Sequence, residues 1–135
     1  MPGATPGGGT NLFDMIPFEL STLAHTWFID LDGTILKHEG LWEDGHDSLL
    51  PGTLEFLASI PEQDVVIFTT AREEYFREAT MVELARLGIN RHDHIIFNLP
   101  VGERIVVNDI KPTGLLTAIA WNVSRNQGFL DPNDK

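Results

Sequence analysis

The chain contains no cysteine among its 135 residues, and this absence excludes several kinds of protein. It has no disulfide framework, no thiol nucleophile and no zinc site built on cysteine. No apolar run approaches the roughly 20 residues that a membrane-spanning helix needs. The N-terminus also lacks the basic and apolar regions of a secretory signal peptide. We therefore expect a soluble, cytoplasmic protein.

Basic residues are scarce as well. Nine Lys and Arg stand against twenty Asp and Glu, which gives a net charge of −11. A field of this sign repels nucleic acid, and it repels a phosphorylated compound at long range too. An anionic substrate would need a bound cation and a few well-placed basic side chains. The charge therefore favours a metal cofactor, and we expect neither nucleic acid nor a membrane as a partner.

The length and the alternating apolar pattern predict a single α/β domain. We expect three parts: an N-terminal segment over 1–22, the domain over 23–130 and a polar tail over 131–135. Residues 1–10 are rich in Gly and Pro, so we expect them to be mobile. The apolar residues that follow predict a docking stretch or a partner contact. Strands alternating with helices predict a parallel sheet of about five strands with no room for a large cap domain. The predicted strands are 25–31, 65–69, 94–97, 104–107 and, less distinctly, 118–123, and the predicted helices are 51–60 and 73–87.

Two aspartates at the end of the first predicted strand are the most informative feature of the chain. Asp30 and Asp32 lie one residue apart, so their side chains point to the same face of the strand, about 6–7 Å apart. Two carboxylates this close repel each other unless a cation or a proton lies between them. Gly33 then allows a sharp turn without strain. The pattern predicts a divalent metal and a phosphate group; the simpler interpretation is a turn with two solvated aspartates.

The sequence Asp30-Leu31-Asp32-Gly33-Thr34 resembles motif I of the haloacid dehalogenase superfamily, whose members are mostly magnesium-dependent phosphatases. The resemblance runs roughly from residue 25 to residue 128 and implies a three-layer, Rossmann-like fold in its small capless form. It implies that Asp30 is the nucleophile, which forms an aspartyl-phosphate, and that Asp32 donates and then accepts a proton. It also implies that Mg²⁺ is bound by Asp30, the Asp32 carbonyl and Asp109.

The second predicted strand ends in Thr69-Thr70-Ala71-Arg72, which is similar to motif II of the same family. The resemblance implies that the Thr70 hydroxyl binds the phosphoryl group, with Thr69 as the alternative, and makes Arg72 a second candidate phosphate ligand. Two simpler interpretations stay open. Thr70 is also suited to cap the helix that follows, and Arg72 is also suited to pair with a neighbouring acid.

The segment Ile105-Val106-Val107-Asn108-Asp109 is similar to motif IV of the family. The resemblance implies that Asp109 is the third metal ligand and that Asn108 is a neutral ligand or hydrogen-bonding neighbour. The simpler interpretation is an Asn-Asp turn after a strand. The basic residue of motif III is not where small members of the family carry it, because Leu99 stands at that place. Arg104 and Lys111 are the two candidates for its phosphate-binding role, and the sequence does not choose between them. His38 follows motif I and is a further candidate for substrate contact.

The resemblance implies a Mg²⁺-dependent phosphomonoester hydrolase, a phosphatase acting on a phosphosugar or another small phosphorylated metabolite. Capless members act on large substrates or close their sites by forming oligomers, so a homo-oligomer is one expectation. Three alternatives stay open: a phosphate-binding or regulatory module that has lost activity, a phosphoprotein phosphatase, and a receiver-like signalling domain. Receiver-like domains carry the acidic pair and the phosphate acceptor on separate strands, whereas here both aspartates follow one strand.

Overall fold

The structure is a computed structural model that describes residues 11–129. The mobility predicted for residues 1–10 and the polar tail predicted at 131–135 fall outside the described residues. Within residues 11–129, four short α-helices, one 3-10 turn and three strands follow one another along the chain, which confirms the α/β class. In chain order they are α1 (Leu12–Met15), β1 (Thr26–Asp30), α2 (Gly40–Asp44), α3 (Thr53–Ser59), β2 (Val65–Thr69), a single 3-10 turn (Glu74–Phe76), α4 (Arg77–Arg86) and β3 (His94–Ile96).

The three strands form one parallel sheet in the order β1-β2-β3. Asp30, the last residue of β1, lies beside Thr69, the last residue of β2, and Thr69 lies beside Ile96 of β3. The strand ends are therefore level with one another at the carboxyl edge of the sheet. Open parallel sheets bind ligands at this edge.

The prediction of five strands is not confirmed. Residues 104–107 and 118–123 form no strand, and every residue from 101 to 114 is exposed. We call residues 101–120 the arm; an antiparallel bridge between Ile110 and Leu116 gives it some local structure. The β-branched run in the arm favours a strand, but a strand forms only where a neighbour supplies the hydrogen bonds and the packing. The expected loop between residues 34 and 50 contains the short helix α2.

The core joins the sheet to the helices. Val66 and Phe68 of β2 are fully buried, and they cluster with Phe56 of α3 and Leu84 of α4. The apolar stretch after residue 10 also contributes, because Leu12 is buried in the same cluster and α1 packs against α3. Within residues 11–129, no helix is long and apolar enough to cross a membrane.

The C-terminal part of the described chain closes this core through an aromatic contact. The rings of Phe56 and Phe129 stack with their centroids 4.3 Å apart. The Phe129 amide donates a hydrogen bond to the Pro51 carbonyl at 2.8 Å. Gly128 permits this close approach, because a Cβ at that position would lie 2.1 Å from the Pro51 oxygen.

Replacing Gly128 by alanine is expected to lower the free energy of unfolding by about 2–4 kcal/mol. Alanine would be strained at the φ of +73° that Gly128 adopts, and its Cβ would force the backbone to shift. Gly45 is the matched control, because its φ is +82° but no atom lies within 4 Å of its would-be Cβ. Gly45→Ala should cost only about 1 kcal/mol. Denaturant unfolding measures both values, and equal losses would contradict this account.

Candidate functional site

The predicted site residues of motifs I and II meet at the carboxyl edge of the sheet. The Leu31 amide donates to the Thr69 carbonyl at 3.1 Å, which carries the pairing of β1 and β2 past the strand ends. The Thr70 amide donates to the Ile96 carbonyl at 3.0 Å and extends the pairing of β2 and β3 in the same way. Asp30, Asp32 and Thr70 are therefore held on adjacent, hydrogen-bonded segments.

Gly33 makes the turn that follows the two aspartates. Its φ is +88°, a conformation that residues with a Cβ rarely adopt, and its amide donates to the Leu36 carbonyl at 2.7 Å. A Cβ on Gly33 would also lie 3.3 Å from Cγ of Arg125. The turn predicted from the sequence is present, and glycine is the residue that it needs.

Asp30 is partly buried, and burial raises the pKa of its carboxyl above the ordinary value. The negative charge of Asp32 raises this pKa further, while the positive charge of Arg104 lowers it. The protein therefore places a carboxylate where its charge is poorly solvated and faces a second acid. Such perturbed groups concentrate at functional sites, where a bound cation or a reaction step uses the charge.

Asp32 is held by side chains from the end of β2. The Thr70 hydroxyl donates to Oδ2 of Asp32 at 3.1 Å. Arg72 donates from Nη2 to Oδ1 at 2.8 Å and from Nε to both carboxylate oxygens at 3.2 and 3.3 Å. The Thr70 hydroxyl in turn accepts the Arg72 amide at 3.0 Å. These bonds fix the orientation of the Asp32 carboxylate relative to the sheet.

Arg72 also binds a second carboxylate, that of Asp47. Its Nη2 and Nη1 atoms donate to the two Asp47 oxygens at 2.8 and 3.1 Å, and Nη1 reaches the Thr80 hydroxyl at 3.2 Å. Burial alone would lower the pKa of Arg72, but the hydrogen bonds that it donates to Asp47 and Asp32 raise this pKa above its ordinary value. The guanidinium is thus shared between two acids, as the simpler interpretation of Arg72 expects; its predicted phosphate contact stays a prediction.

Asp47 is the site residue that the sequence did not reveal. It is almost completely buried, and its amide donates to Oε1 of Glu83 at 3.1 Å, while Arg86 donates to its carbonyl at 2.8 Å. Hydrogen bonds, first from Arg86 and then from the Asp47 amide, lower the pKa of Glu83 to about 2. The need of Arg72 for an acidic partner was the one signal that could have pointed to Asp47. The chain has twenty Asp and Glu residues, however, and the sequence does not show which of them pairs with Arg72.

The two basic candidates for motif III occupy different places. Arg104 donates from Nη1 to the carbonyls of Pro100 and Gly102, at 2.6 and 2.9 Å, and its charge acts on Asp30. Lys111 lies exposed on the arm, where its amide donates to the Leu115 carbonyl. Arg104 is therefore the candidate whose charge reaches the Asp30 carboxyl.

Asp109 and Asn108 also lie on the exposed arm. The Asp109 carbonyl accepts the Thr117 hydroxyl at 2.6 Å, and the Asn108 amide side chain donates to the Thr117 carbonyl at 3.2 Å. Among residues 11–129, no cluster of three or more His, Cys, Asp or Glu side chains is arranged to hold a metal ion. The described chain therefore does not bring Asp109 together with Asp30 and Asp32 as one ligand set.

Asn126 connects the turn of motif I to the C-terminal part of the chain, a contact that the sequence did not suggest. Its amide donates to the Gly33 carbonyl at 2.8 Å, and its side-chain oxygen accepts the His38 amide at 2.8 Å. His38 is thereby held near the site.

Comparison of the chain with protein-family models, with curated proteins and with solved structures gives no match.

Proposed function

We propose that the protein is a Mg²⁺-dependent phosphomonoester hydrolase of the haloacid dehalogenase type, acting on a small phosphorylated metabolite such as a phosphosugar. The observation that carries the proposal is the carboxyl of Asp30. It is partly buried at the end of β1, its pKa is raised, and the end of β2 lies beside it with Thr70. The Rossmann-like sheet of about five strands belongs to the same proposal.

The reaction uses the two aspartates in two steps. A carboxylate oxygen of Asp30 attacks phosphorus in line and forms a new P–O bond, while the bond to the leaving oxygen breaks and Asp32 protonates that oxygen. Water then attacks phosphorus, Asp32 takes its proton, and the bond to Asp30 breaks to release phosphate. In the resting protein Thr70 and Arg72 both donate to the Asp32 carboxylate, so Asp32 must first take up a proton, and give up part of its contact with Arg72, before it can protonate the leaving oxygen.

The residues at the edge of β1 fit a bound magnesium ion in part. Carboxylate and carbonyl oxygens are the ligands that Mg²⁺ prefers, and Asp30 offers a poorly solvated carboxylate beside a second acid. Asp30 and the Asp32 carbonyl would hold the ion, with Asp109 as the proposed third ligand. When bound, Mg²⁺ offsets the repulsion between the Asp30 carboxylate and the phosphate.

Basic and hydroxyl side chains must stabilise the charge that develops on the phosphoryl oxygens. Thr70 is the proposed hydroxyl, but it is buried and donates to Asp32 in the resting protein, so it would have to turn toward the phosphate. Arg104 is the proposed basic residue, because its charge acts on Asp30. Arg72 stabilises Asp32 and Asp47 in the resting protein, so its contribution to phosphate binding would require it to give up part of those contacts.

Phosphate release from p-nitrophenyl phosphate and from a broad panel of phosphate esters tests the proposal. We expect turnover with Mg²⁺ and its loss when the metal is removed by a chelator, because the Asp30 carboxylate then repels the phosphate unassisted. Wild-type protein that releases no phosphate from any ester of the panel would overturn the proposal.

The position of Asp109 favours one second candidate, a phosphate-binding module that has lost activity. In the described chain the third acid of the metal site does not join Asp30 and Asp32. Mg²⁺ binding without turnover on the whole panel would identify this module. A stable phosphoprotein formed with acetyl phosphate would instead indicate a receiver-like domain.

A further inference from the structure

Within residues 11–129, Arg125 is the one arginine whose guanidinium has no hydrogen-bond or ion-pair partner. The guanidinium groups of the other arginines donate to acidic side chains or to backbone carbonyls: those of Arg72, Arg77, Arg86, Arg91 and Arg104. Twenty Asp and Glu stand against nine Lys and Arg, so an arginine without an acidic partner is exceptional in this chain. The charge of Arg125 is therefore available to a ligand.

The Arg125 side chain lies against Gly33, the glycine of the motif I turn. A Cβ on Gly33 would lie 3.3 Å from Cγ of Arg125 and 3.7 Å from its Nε. The Cβ of His38 would lie 3.7 Å from the same point. Because Gly33 directly follows Asp32, Arg125 and His38 both border the turn that begins at this aspartate.

The backbone next to Arg125 is fixed at this place. The Asn126 amide donates to the Gly33 carbonyl, and the Asn126 side-chain oxygen accepts the His38 amide, both at 2.8 Å. The φ of Asn126 is +64°, a left-handed conformation that asparagine adopts more readily than most residues, and a hydrogen bond closes the turn over 124–127. Arg125 itself is exposed. Its backbone is therefore held beside motif I, while its charged end can meet a ligand.

The position of Arg125 beside the motif I turn decides which part of a substrate it would meet, a placement that rests on the proposed function. Asp30 attacks phosphorus and Asp32 protonates the leaving oxygen, so the leaving group lies on the Asp32 side. Asp32 is already paired with Arg72, and its charge does not occupy Arg125. A guanidinium in this place is suited to a carboxylate or a phosphate, which it binds with two parallel hydrogen bonds.

We propose that Arg125 binds a second oxyanion on the leaving group, so that the preferred substrates are phosphate esters that also carry a carboxylate or another phosphate. A protein with a net charge of −11 repels such a substrate at long range, and a local guanidinium offsets that repulsion. The transferred phosphoryl group keeps Thr70 and Arg104 as its proposed partners. Arg125 selects the substrate and makes no contact with the reacting atoms.

Two pairs of esters, each differing by one oxyanion, test this selection by steady-state kinetics with Mg²⁺. The first pair is 3-phosphoglycerate and glycerol 3-phosphate, and the second is fructose 1,6-bisphosphate and fructose 6-phosphate. We expect the wild type to favour the ester with the second oxyanion in at least one pair. The carboxylate pair and the bisphosphate pair distinguish the two sources of that oxyanion.

In the favoured pair, Arg125→Gln should lower kcat/KM for the ester with the second oxyanion by about 10- to 100-fold, mainly through KM, because hydrogen bonds to a charged group are lost. Its partner ester should change by less than about threefold. Arg77→Gln is the matched control, because Arg77 pairs with the exposed Glu74, and it should leave both esters unaffected. No preference in either pair, or an equal loss on both esters in Arg125→Gln, would overturn the proposal.

Chemical modification tests the same site without any phosphate release. Phenylglyoxal reacts with guanidinium groups, and peptide mass spectrometry locates the modified arginines. Arg125 should be modified fastest, and in the presence of Mg²⁺ 3-phosphoglycerate or fructose 1,6-bisphosphate should protect it better than the partner ester does. Protection without turnover would overturn the proposed phosphatase activity and support the oxyanion site. Turnover without such protection would overturn the oxyanion site and support the phosphatase.

Discussion

Replacing Asp30 by asparagine is expected to lower the rate of phosphate release by at least about 10³-fold. Asparagine keeps the shape of the side chain but removes the anionic oxygen that forms the bond to phosphorus. Steady-state kinetics with Mg²⁺ and p-nitrophenyl phosphate measure the effect. Asp14→Asn is the matched control, because Asp14 is exposed on α1 and should retain full activity. Activity within tenfold of wild type would show that Asp30 is not the nucleophile.

The same variant should be at least as stable as the wild type, which separates a catalytic role from a structural one. The fold raises the pKa of Asp30 above its ordinary value of 3.8, so the unfolded chain loses this proton at a lower pH than the folded one. Wild-type stability relative to Asp30→Asn therefore falls as the pH rises through this range. Denaturant unfolding at several pH values tests the sign, and a stability deficit in Asp30→Asn that grows with pH would contradict it.

Replacing Arg72 by methionine is expected to lower the free energy of unfolding by about 3–5 kcal/mol. The cause is Asp47, whose side chain is fully buried and whose carboxylate oxygens both accept Arg72. Removing the guanidinium leaves this charge without a partner away from water. Loss of Arg72 destabilises the Asp32 carboxylate less, because a quarter of the Asp32 side chain is exposed and water solvates it.

Two further variants make the Arg72 prediction specific. Arg77→Met removes an arginine whose partner Glu74 is exposed, and it should cost only about 1 kcal/mol. The double variant Arg72→Met/Asp47→Leu should recover most of the lost stability, because a buried ion pair is often replaced by apolar groups at little cost. Denaturant unfolding measures all four proteins. A loss for Arg72→Met no larger than that for Arg77→Met would show that Asp47 does not need its partner.

The sequence predicted the strands and the helix that are determined by residues close together along the chain. The run Val65–Thr69 is a strand with the same bounds as predicted, and the first and third strands differ from the prediction by one residue at their ends. The helix expected at 73–87 is present as a 3-10 turn followed by α4, and it ends before Gly88, whose φ is +87°. The length of an apolar run and a glycine at the end of a helix are properties of a few neighbouring residues. The strands and helices that they mark can therefore be identified without a structure.

The sequence did not predict features that depend on distant partners. Asp47 meets Arg72 across 25 positions of the chain, and no local pattern marks one acid among twenty as its partner. The segment 104–107 has the composition of a strand, but pairing with a neighbour decides whether it becomes one. The choice between Arg104 and Lys111 for the phosphate-binding role likewise stays a prediction, because order along the chain does not determine which basic side chain lies near Asp30.

The hydrogen bond from the Asn126 amide to the Gly33 carbonyl has a consequence for how the protein is made. Asp30 and Asp32 precede residue 126 along the chain, so the turn that follows them gains this backbone partner only after the ribosome has added residue 126. Contacts between residues so far apart in sequence also form late and slowly in folding, because a long loop must close first. A nascent chain therefore carries Asp30 and Asp32 without this anchoring contact until residue 126 has been added.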